Sequence, residues 1–488
     1  MRRVLGWPLL VLGSFAVVIA CGDDTSSEFN NQPGGVDGSS EACTGFSCPT
    51  EGGPPPGCTG LECQKVQCEG GKSTTLTGIV YDPAGKVPIY NATVYVPNAD
   101  LAKLPEGASC DRCDAAVSGK PVVITSTDVA GKFTLKDVPV VDKLPLVVQI
   151  GKWRRKVEVA TVAKCETTNL DAGITRLPKN RLEGDIPRIA LATGAADPLQ
   201  CLLRKIGLDD TEFGVGGGDE RVHLYAGGGV DVKTASKQFA NGTAFPQASA
   251  FWSDAASLKK YDVVLLACEG EEKENGAGAR AAMYDYAKAG GRIFASHYHY
   301  TWFSRHADAA VKGVAEWSPP SGPQSIQERT PPAIPSDPST TAVNADISTA
   351  FPKATAMKQW LASQQALSND KLPLYDARHN IDKVNATALS WITAPNPNVT
   401  APNNVPVQYM TFNTPVGADE AAVCGRVVVS DIHVAAGQQG GLSDDAAAAF
   451  PDGCKTADLS AQQKALEFML FDLSSCVQKD DAPITPPR

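Results

Sequence analysis

The chain has 488 residues, 43% of them hydrophobic and 20% charged, and its net charge is −10 at pH 7. This length and apolar content are normal for a globular protein of about two to four domains. The acidic balance argues against a nucleic-acid partner, because the phosphates of nucleic acids require a basic surface.

The N-terminal segment has the pattern of an export signal. Two arginines precede an apolar run that ends at Ile19, and this run is shorter than the roughly 20 residues that a spanning helix needs. The sequence Val18–Cys21 resembles the lipobox of bacterial lipoproteins. The resemblance implies removal of a signal peptide, residues 1–20, and a lipid on Cys21 that anchors the chain to the membrane. An ordinary signal peptide with a chance cysteine, or a membrane anchor, is the alternative.

The position after the lipid also bears on the location. Gly22 stands where some bacteria place the aspartate that retains a lipoprotein in the inner membrane, so the resemblance favours the outer membrane of the cell envelope. Residues 21–72 are rich in Gly, Pro, Ser and Cys and are predicted to form a flexible linker. Two similarly spaced cysteine pairs in it, Cys43 with Cys48 and Cys58 with Cys63, indicate small disulfide loops.

Export to an oxidising compartment makes disulfides expected elsewhere as well. The 14 cysteines leave 13 without Cys21, so at least one is a free thiol or pairs with another chain. Cys68 and Cys165 flank one predicted domain and could link its ends. Cys110 and Cys113 form a C-x-x-C motif without a thioredoxin-like pattern around it, which favours a structural disulfide or loop staple over redox chemistry.

Residues 73–178 are predicted to form a small all-β sandwich, because short alternating segments are separated by turn signals. The order of Leu76–Val80, Pro88–Val96 and Thr125–Phe133, the last with a hairpin-like turn at Asp128–Gly131, resembles the carboxypeptidase regulatory-like domain. In that family the module is an accessory domain without catalytic residues. The segment Ala99–Gly119, which carries the C-x-x-C motif, interrupts the pattern like an insertion.

Residues 184–477 alternate nearly all-apolar strands with helices, and residues 478–488 form a tail. This pattern predicts an α/β domain with a parallel sheet covered on both faces. The last helix is expected to begin at Ser460, which forms a capping box with Gln463. A Pro-rich stretch between Trp317 and Asp346 has no periodicity and is typical of a lid, a binding loop or a disordered segment.

Chemistry-bearing residues follow three of the predicted strands. Ligands of open α/β sheets bind beyond the carboxyl ends of strands, and three of the six histidines lie there. Glu269 follows Cys268 at one strand end, His297 and His299 follow a second strand, and Asp431 and His433 follow the last. We interpret Cys268 itself as a buried strand-end thiol. Asp376 and His379 could join the rim of this site, but a plain loop position is favoured for both.

The segments Tyr261–Leu266, Ala289–His297 and Gly425–His433 resemble the class I glutamine amidotransferase-like superfamily, within it the trehalose-utilisation (ThuA-like) branch. The resemblance implies a flavodoxin-like fold. His297 stands where catalytic members have a cysteine nucleophile, and Ala435 where they have a glutamate. These departures argue against glutamine hydrolysis at the usual site.

The sequence is compatible with two functions. The first is non-catalytic binding of a carbohydrate or protein by an envelope-anchored lipoprotein, since aromatic residues near polar groups suit sugar stacking. Its candidate residues are Glu269, Tyr298, Tyr300 and Trp302. The alternative is a metal-dependent hydrolase with a Zn²⁺ site formed by His297, His299, Asp431 and His433, because a His-x-His on a strand would direct both rings to one face. The sequence leaves open whether the chain is an enzyme.

Overall fold

Two small sheets are formed by the first part of the chain in the computed structural model, which describes residues 57–227, 235–318, 334, 341–434, 443–485 and 487–488. The predicted signal peptide, Cys21 and most of the predicted linker lie outside these residues. One sheet has the order β4-β1-β7 and the other the order β3-β2-β5-β6. The strands are β1 (Thr75–Ile79), β2 (Thr93–Pro97), β3 (Pro121–Ser126), β4 (Lys132–Leu135), β5 (Leu144–Ile150), β6 (Trp153–Val159) and β7 (Thr167–Asn169).

The turn between β3 and β4 differs from the hairpin that the sequence suggests. Asp128 accepts hydrogen bonds from the backbone N–H groups of Ala130 and Lys132, and Gly131 has a φ of +69°, so a tight turn does form here. However, β3 pairs with β2, and β4 pairs with β1. The turn therefore carries the chain from one sheet to the other.

A ten-stranded mixed sheet forms the second part, in the order β15-β14-β17-β18-β19-β12-β11-β8-β10-β9. The strands from β19 to β9 are parallel, as predicted, and those from β15 to β18 add an antiparallel half. The ten strands are β8 (Ile189–Ala192), β9 (Phe213–Gly214), β10 (Val222–Tyr225), β11 (Val263–Leu266), β12 (Arg292–Ser296), β14 (Val343–Ile347), β15 (Leu372–Leu374), β17 (Leu389–Thr393), β18 (Val407–Thr414) and β19 (Gly425–Ser430). A separate pair is β13 (Ala315–Trp317) with β16 (Ile381–Val384).

Helices cover both faces of the parallel half. Val263 and Leu265 belong to one buried cluster and Val264 and Leu266 to the other, because successive side chains of a strand point to opposite faces. The first cluster includes residues of α9, and the second includes residues of α5. The helices are α1 (Ala172–Thr175), α2 (Leu199–Lys205), α3 (Ala248–Trp252), α4 (Ala255–Leu258), α5 (Ala277–Lys288), α6 (Thr301–Ser304), α7 (Ala309–Lys312), α8 (Pro352–Ser363) and α9 (Ala461–Ser474).

Helix α9 connects the two parts of the chain. It begins at the predicted capping box of Ser460 and Gln463. Its aromatic side chains contact the first part of the chain, where Trp153 packs edge-on against Phe471 and Tyr90 stacks on Phe468. Residues on both sides of the predicted boundary at 178–184 thus share one hydrophobic core. Within the described residues, no helix is long and apolar enough to cross a membrane.

Disulfides add covalent links between distant segments. Cys58–Cys63 closes the predicted small loop, and Cys68–Cys165 joins the ends of the first part as expected. Cys201 pairs with Cys454. The C-x-x-C cysteines are structural, but each bonds across the molecule, Cys110 to Cys424 and Cys113 to Cys476. Among the described residues Cys268 is free and buried; the pair Cys43 and Cys48 lies outside them.

Candidate metal centre

Three side chains with metal-ligating atoms converge at the carboxyl edge of the parallel strands. Cys268 follows β11, His297 follows β12 and His433 follows β19. These strands are neighbours in the sheet, so their ends lie side by side. The Cys268 Sγ lies 3.2 Å from the His297 Nδ1, and the ligand atoms of all three residues lie within 4.8 Å of one another. All three side chains are buried.

A sharp turn positions His297. Strand β12 ends at Ser296, and His297–Tyr300 forms a 3-10 turn, where His297 has a φ of +43°. Few residues other than glycine adopt this region, and where they do the surrounding structure holds them. Burial lowers the pKa of His297 well below its ordinary value, and the nearby charge of His433 adds to this effect. His297 is therefore a neutral imidazole, the form that binds metal.

The turn separates His299 from this group. Because the chain leaves the extended conformation at His297, the predicted His-x-His does not present two rings on one face. The His299 Nε2 lies 2.9 Å from the Ala267 carbonyl oxygen, and its Nδ1 accepts a hydrogen bond of 3.0 Å from the Trp302 indole. Both ring nitrogens are engaged within the core, and burial lowers the pKa of His299 to about 4.

Asp376 orients the third histidine. Its Oδ2 lies 2.7 Å from the His433 Nδ1, and Arg378 donates a hydrogen bond to its Oδ1. The other ring nitrogen, Nε2, is buried, and the Cys268 side chain is a hydrogen-bond partner of the His433 ring. Burial alone would lower the pKa of His433, but Asp376 and Cys268 stabilise the charged ring and raise it to about 10. Burial would raise the pKa of Asp376, and the bond to His433 reverses this and lowers it.

Two further aspartates hold the strand ends in place. Asp197 accepts hydrogen bonds from the Ser296 hydroxyl and the Val434 N–H, so it ties the end of β12 to the segment after β19. Asp431, a predicted ligand, accepts hydrogen bonds of 2.8 and 3.0 Å from the backbone and side-chain N–H groups of Asn380. It therefore fixes the loop that carries Asp376, and it stands outside the three-residue group. Burial raises the pKa of Asp431 to about 6.

The predicted ligand-binding residues have different environments. Tyr298 is half-buried, and its ring centroid lies 3.8 Å from that of His297. Glu269 is buried next to Cys268. Tyr300 donates a hydrogen bond to Glu272 and stacks on Trp317, and Trp302 packs against Trp252. Tyr300 and Trp302 are core residues here, so the structure does not place the four side chains on one accessible surface.

The sequence predicted Cys268 to be a buried strand-end thiol and not a member of the group. It favoured a plain loop position for Asp376. The signal for Cys268 was its place at the end of a strand next to the one that leads to His297. No comparable signal existed for Asp376, because the loop 375–380 lies between β15 of the antiparallel half and β16 of the separate pair and reaches the site only through tertiary structure.

Comparisons with known proteins give similarity to solved structures at low identity. No protein-family model matches it, and no curated protein is similar to it. Among solved structures, it is similar to a putative ThuA-like protein from Bacteroides uniformis at 11% identity, over 61% of this chain and 96% of that one, with a TM-score of 0.29. It is also similar to a type II cohesin–X-dockerin complex from Acetivibrio cellulolyticus at 13% identity, over 29% and 74% of the two chains, with a TM-score of 0.14. Such scores establish no common function.

The chemistry of the three side chains Cys268, His297 and His433 fits a transition metal. One thiol and two imidazoles suit Zn²⁺, which is bound at catalytic sites by three protein ligands with a fourth position left for water or substrate. Histidine ligands of metals commonly hold a carboxylate on their other ring nitrogen, as His433 holds Asp376. Asp376 and Cys268 favour the charged His433 ring, so binding of a metal would require His433 to release a proton.

Proposed function

We propose that Cys268, His297 and His433 bind one transition-metal ion, with zinc the best fit, and that the chain is a metal-dependent hydrolase. The convergence of these three ligand atoms within 4.8 Å of one another carries the proposal. A tetrahedral ion held by three side chains keeps one position for water, which is the arrangement of catalytic rather than structural zinc sites.

The ion, when bound, would supply Lewis acidity and an activated water at neutral pH. The residues of the chain prepare the site for it. Asp376 holds the His433 ring so that Nε2 points inward, and Asp197 and Asp431 fix the segments on either side. Tyr298 is a half-buried side chain whose ring lies beside that of His297. Burial excludes bulk water from the ligands, which strengthens electrostatic interactions there.

Non-catalytic carbohydrate or protein binding has less support. The aromatic platform expected for it would need Tyr300 and Trp302 at the surface, and both side chains are about 97% or more buried within the core. Tyr298 alone remains accessible to a sugar ring.

The setting of this activity is proposed to be the cell envelope, with the lipid on Cys21 as the anchor and the outer membrane as the favoured location. Five disulfides among the described residues support folding in an oxidising compartment. We further propose a flavodoxin-like, ThuA-like domain behind a carboxypeptidase regulatory-like sandwich. Its support is the order β10-β8-β11-β12-β19, because these strands, numbered along the chain, run 2-1-3-4-5.

Metal content tests the proposal. The purified protein should contain about one equivalent of zinc or another transition metal. The double variant His297→Ala/His433→Ala should lose it, and the control His306→Ala, outside the group, should keep it. A chelator should then abolish hydrolysis of a panel of activated esters and glycosides, and zinc should restore it. Folded wild-type protein that takes up no metal would overturn the site, and metal without hydrolysis of any panel member would overturn the hydrolase.

A further inference from the structure

The guanidinium group of Arg378 lies beside the candidate metal centre, and not all of its N–H donors form hydrogen bonds with the described residues. Arg378 lies two residues after Asp376 and donates to its Oδ1 through Nη2. Its Nε is buried and has no hydrogen-bond partner among the described residues. The side chain as a whole is 33% exposed, so the group extends from the partly buried Asp376 carboxylate towards solvent.

Its position relative to the candidate metal centre is set by Asp376. The Oδ1 of this carboxylate accepts a hydrogen bond from Arg378, and its Oδ2 lies 2.7 Å from the His433 Nδ1. One carboxylate therefore joins the guanidinium to the centre. The Gln408 side chain donates a 2.7 Å hydrogen bond to the Arg378 carbonyl oxygen, which fixes the backbone from which the side chain extends.

The other charged groups around the centre already have partners. Both oxygens of Asp197 and both oxygens of Asp431 accept hydrogen bonds from protein groups. Glu272 binds Tyr300 and Arg305. In the described part of this site, Arg378 is thus the positively charged side chain that is both linked to the centre through Asp376 and partly exposed.

We propose that Arg378 is a specificity-determining residue that binds a carboxylate of the substrate, so that the centre acts on acidic molecules. That the bound carboxylate belongs to a substrate rests on the proposed function, but the anion site itself does not need the metal. A guanidinium presents planar N–H donors that match a carboxylate, and such charge-assisted hydrogen bonds are stronger than neutral ones. A lysine ammonium would supply the positive charge but not the planar pair of donors.

Calorimetric titration with benzoate and with its neutral analogue benzamide tests the inference, on zinc-loaded and on chelator-treated protein, with metal content measured in each sample. Benzoate should bind at least about tenfold more tightly than benzamide. Arg378→Gln should lose this preference, and Arg378→Lys should retain part of it. Arg204→Gln is the matched control, because the Arg204 side chain is comparably exposed, pairs with Asp210 and lines a cavity of about 690 Å³ that contains no residue of this site.

The outcomes separate the two claims. Equal binding of benzoate and benzamide, or a preference that survives in Arg378→Gln, would overturn the anion site. Loss of the preference in Arg204→Gln alone would place the anion in the other cavity and would also overturn it. If wild-type protein takes up no zinc but chelator-treated protein shows a benzoate preference that Arg378→Gln abolishes, the anion site stands and the proposed function fails.

Discussion

Replacement of Glu467 by methionine is expected to stabilise the protein, and to do so more strongly at higher pH. Glu467 lies on α9 with its side chain fully buried, and neither carboxyl oxygen has a hydrogen-bond partner among the described residues. Burial raises the pKa of Glu467 well above its ordinary value, and the nearby charge of Asp82 adds to the rise. Methionine fills a similar volume without polar atoms.

The magnitude follows from two parts. A buried acceptor without a partner costs about 1–3 kcal/mol, which methionine removes at any pH. The second part depends on pH. The unfolded chain releases the Glu467 proton above its ordinary pKa, whereas the folded protein keeps it, so wild-type stability falls as the pH rises. The loss is about 1.4 kcal/mol per pH unit while the pH stays below the folded pKa.

Urea unfolding at pH 5 and pH 7, with the disulfides intact, measures both parts. The free energy of unfolding of Glu467→Met should exceed that of wild type at pH 5, and the difference should grow by up to about 2.7 kcal/mol at pH 7. Glu467→Gln is the matched control, since it removes the titration but keeps polar atoms. It should show the pH-dependent part with a smaller gain at pH 5. A difference that does not change with pH, or a variant less stable than wild type at both values, would refute the reasoning.

Three other changes have expected outcomes. Asp376→Asn should weaken zinc binding about 10- to 100-fold in competition with a coloured chelator, because the carboxylate orients His433; unchanged affinity would remove Asp376 from the site. Cys113→Ser/Cys476→Ser should lower the free energy of unfolding by about 2–4 kcal/mol, since this bond closes a long loop, and an unchanged denaturation midpoint would contradict that. Ser460→Ala should cost about 1 kcal/mol through loss of the helix cap, seen as a lower melting temperature.

The parallel half of the large sheet was predictable because its strands are apolar runs with two buried faces. This also made the meeting of His297 and His433 predictable, since parallel strand ends lie at one edge. The antiparallel half was not predictable in the same way. Strands such as β14 and β15 are short and lie near Pro-rich or polar segments, so their pairing depends on tertiary contacts rather than on local pattern.

The sequence predicted where the candidate site lies in the fold, but not which side chains form it. His299 was expected beside His297 because a strand alternates its side chains, and the 3-10 turn after Ser296 changes that alternation within one residue. Asp431 was expected to face a metal, and Asn380 takes both of its oxygens. Cys268 and Asp376 reach the site through tertiary structure, which a residue pattern along one segment does not encode.

The disulfides of the C-x-x-C segment set an order of events during maturation. Cys110 and Cys113 precede their partners, Cys424 and Cys476, by 314 and 363 residues, so in a chain exported from its N-terminus they reach the oxidising compartment first. The first part of the molecule cannot complete its covalent structure until the end of α9 has been made and has packed against it. Until then the two nearest thiols are each other's most accessible partners. Correct maturation therefore requires that they stay reduced, or that an isomerase reopens a bond between them, so the yield of the protein should depend on such an enzyme.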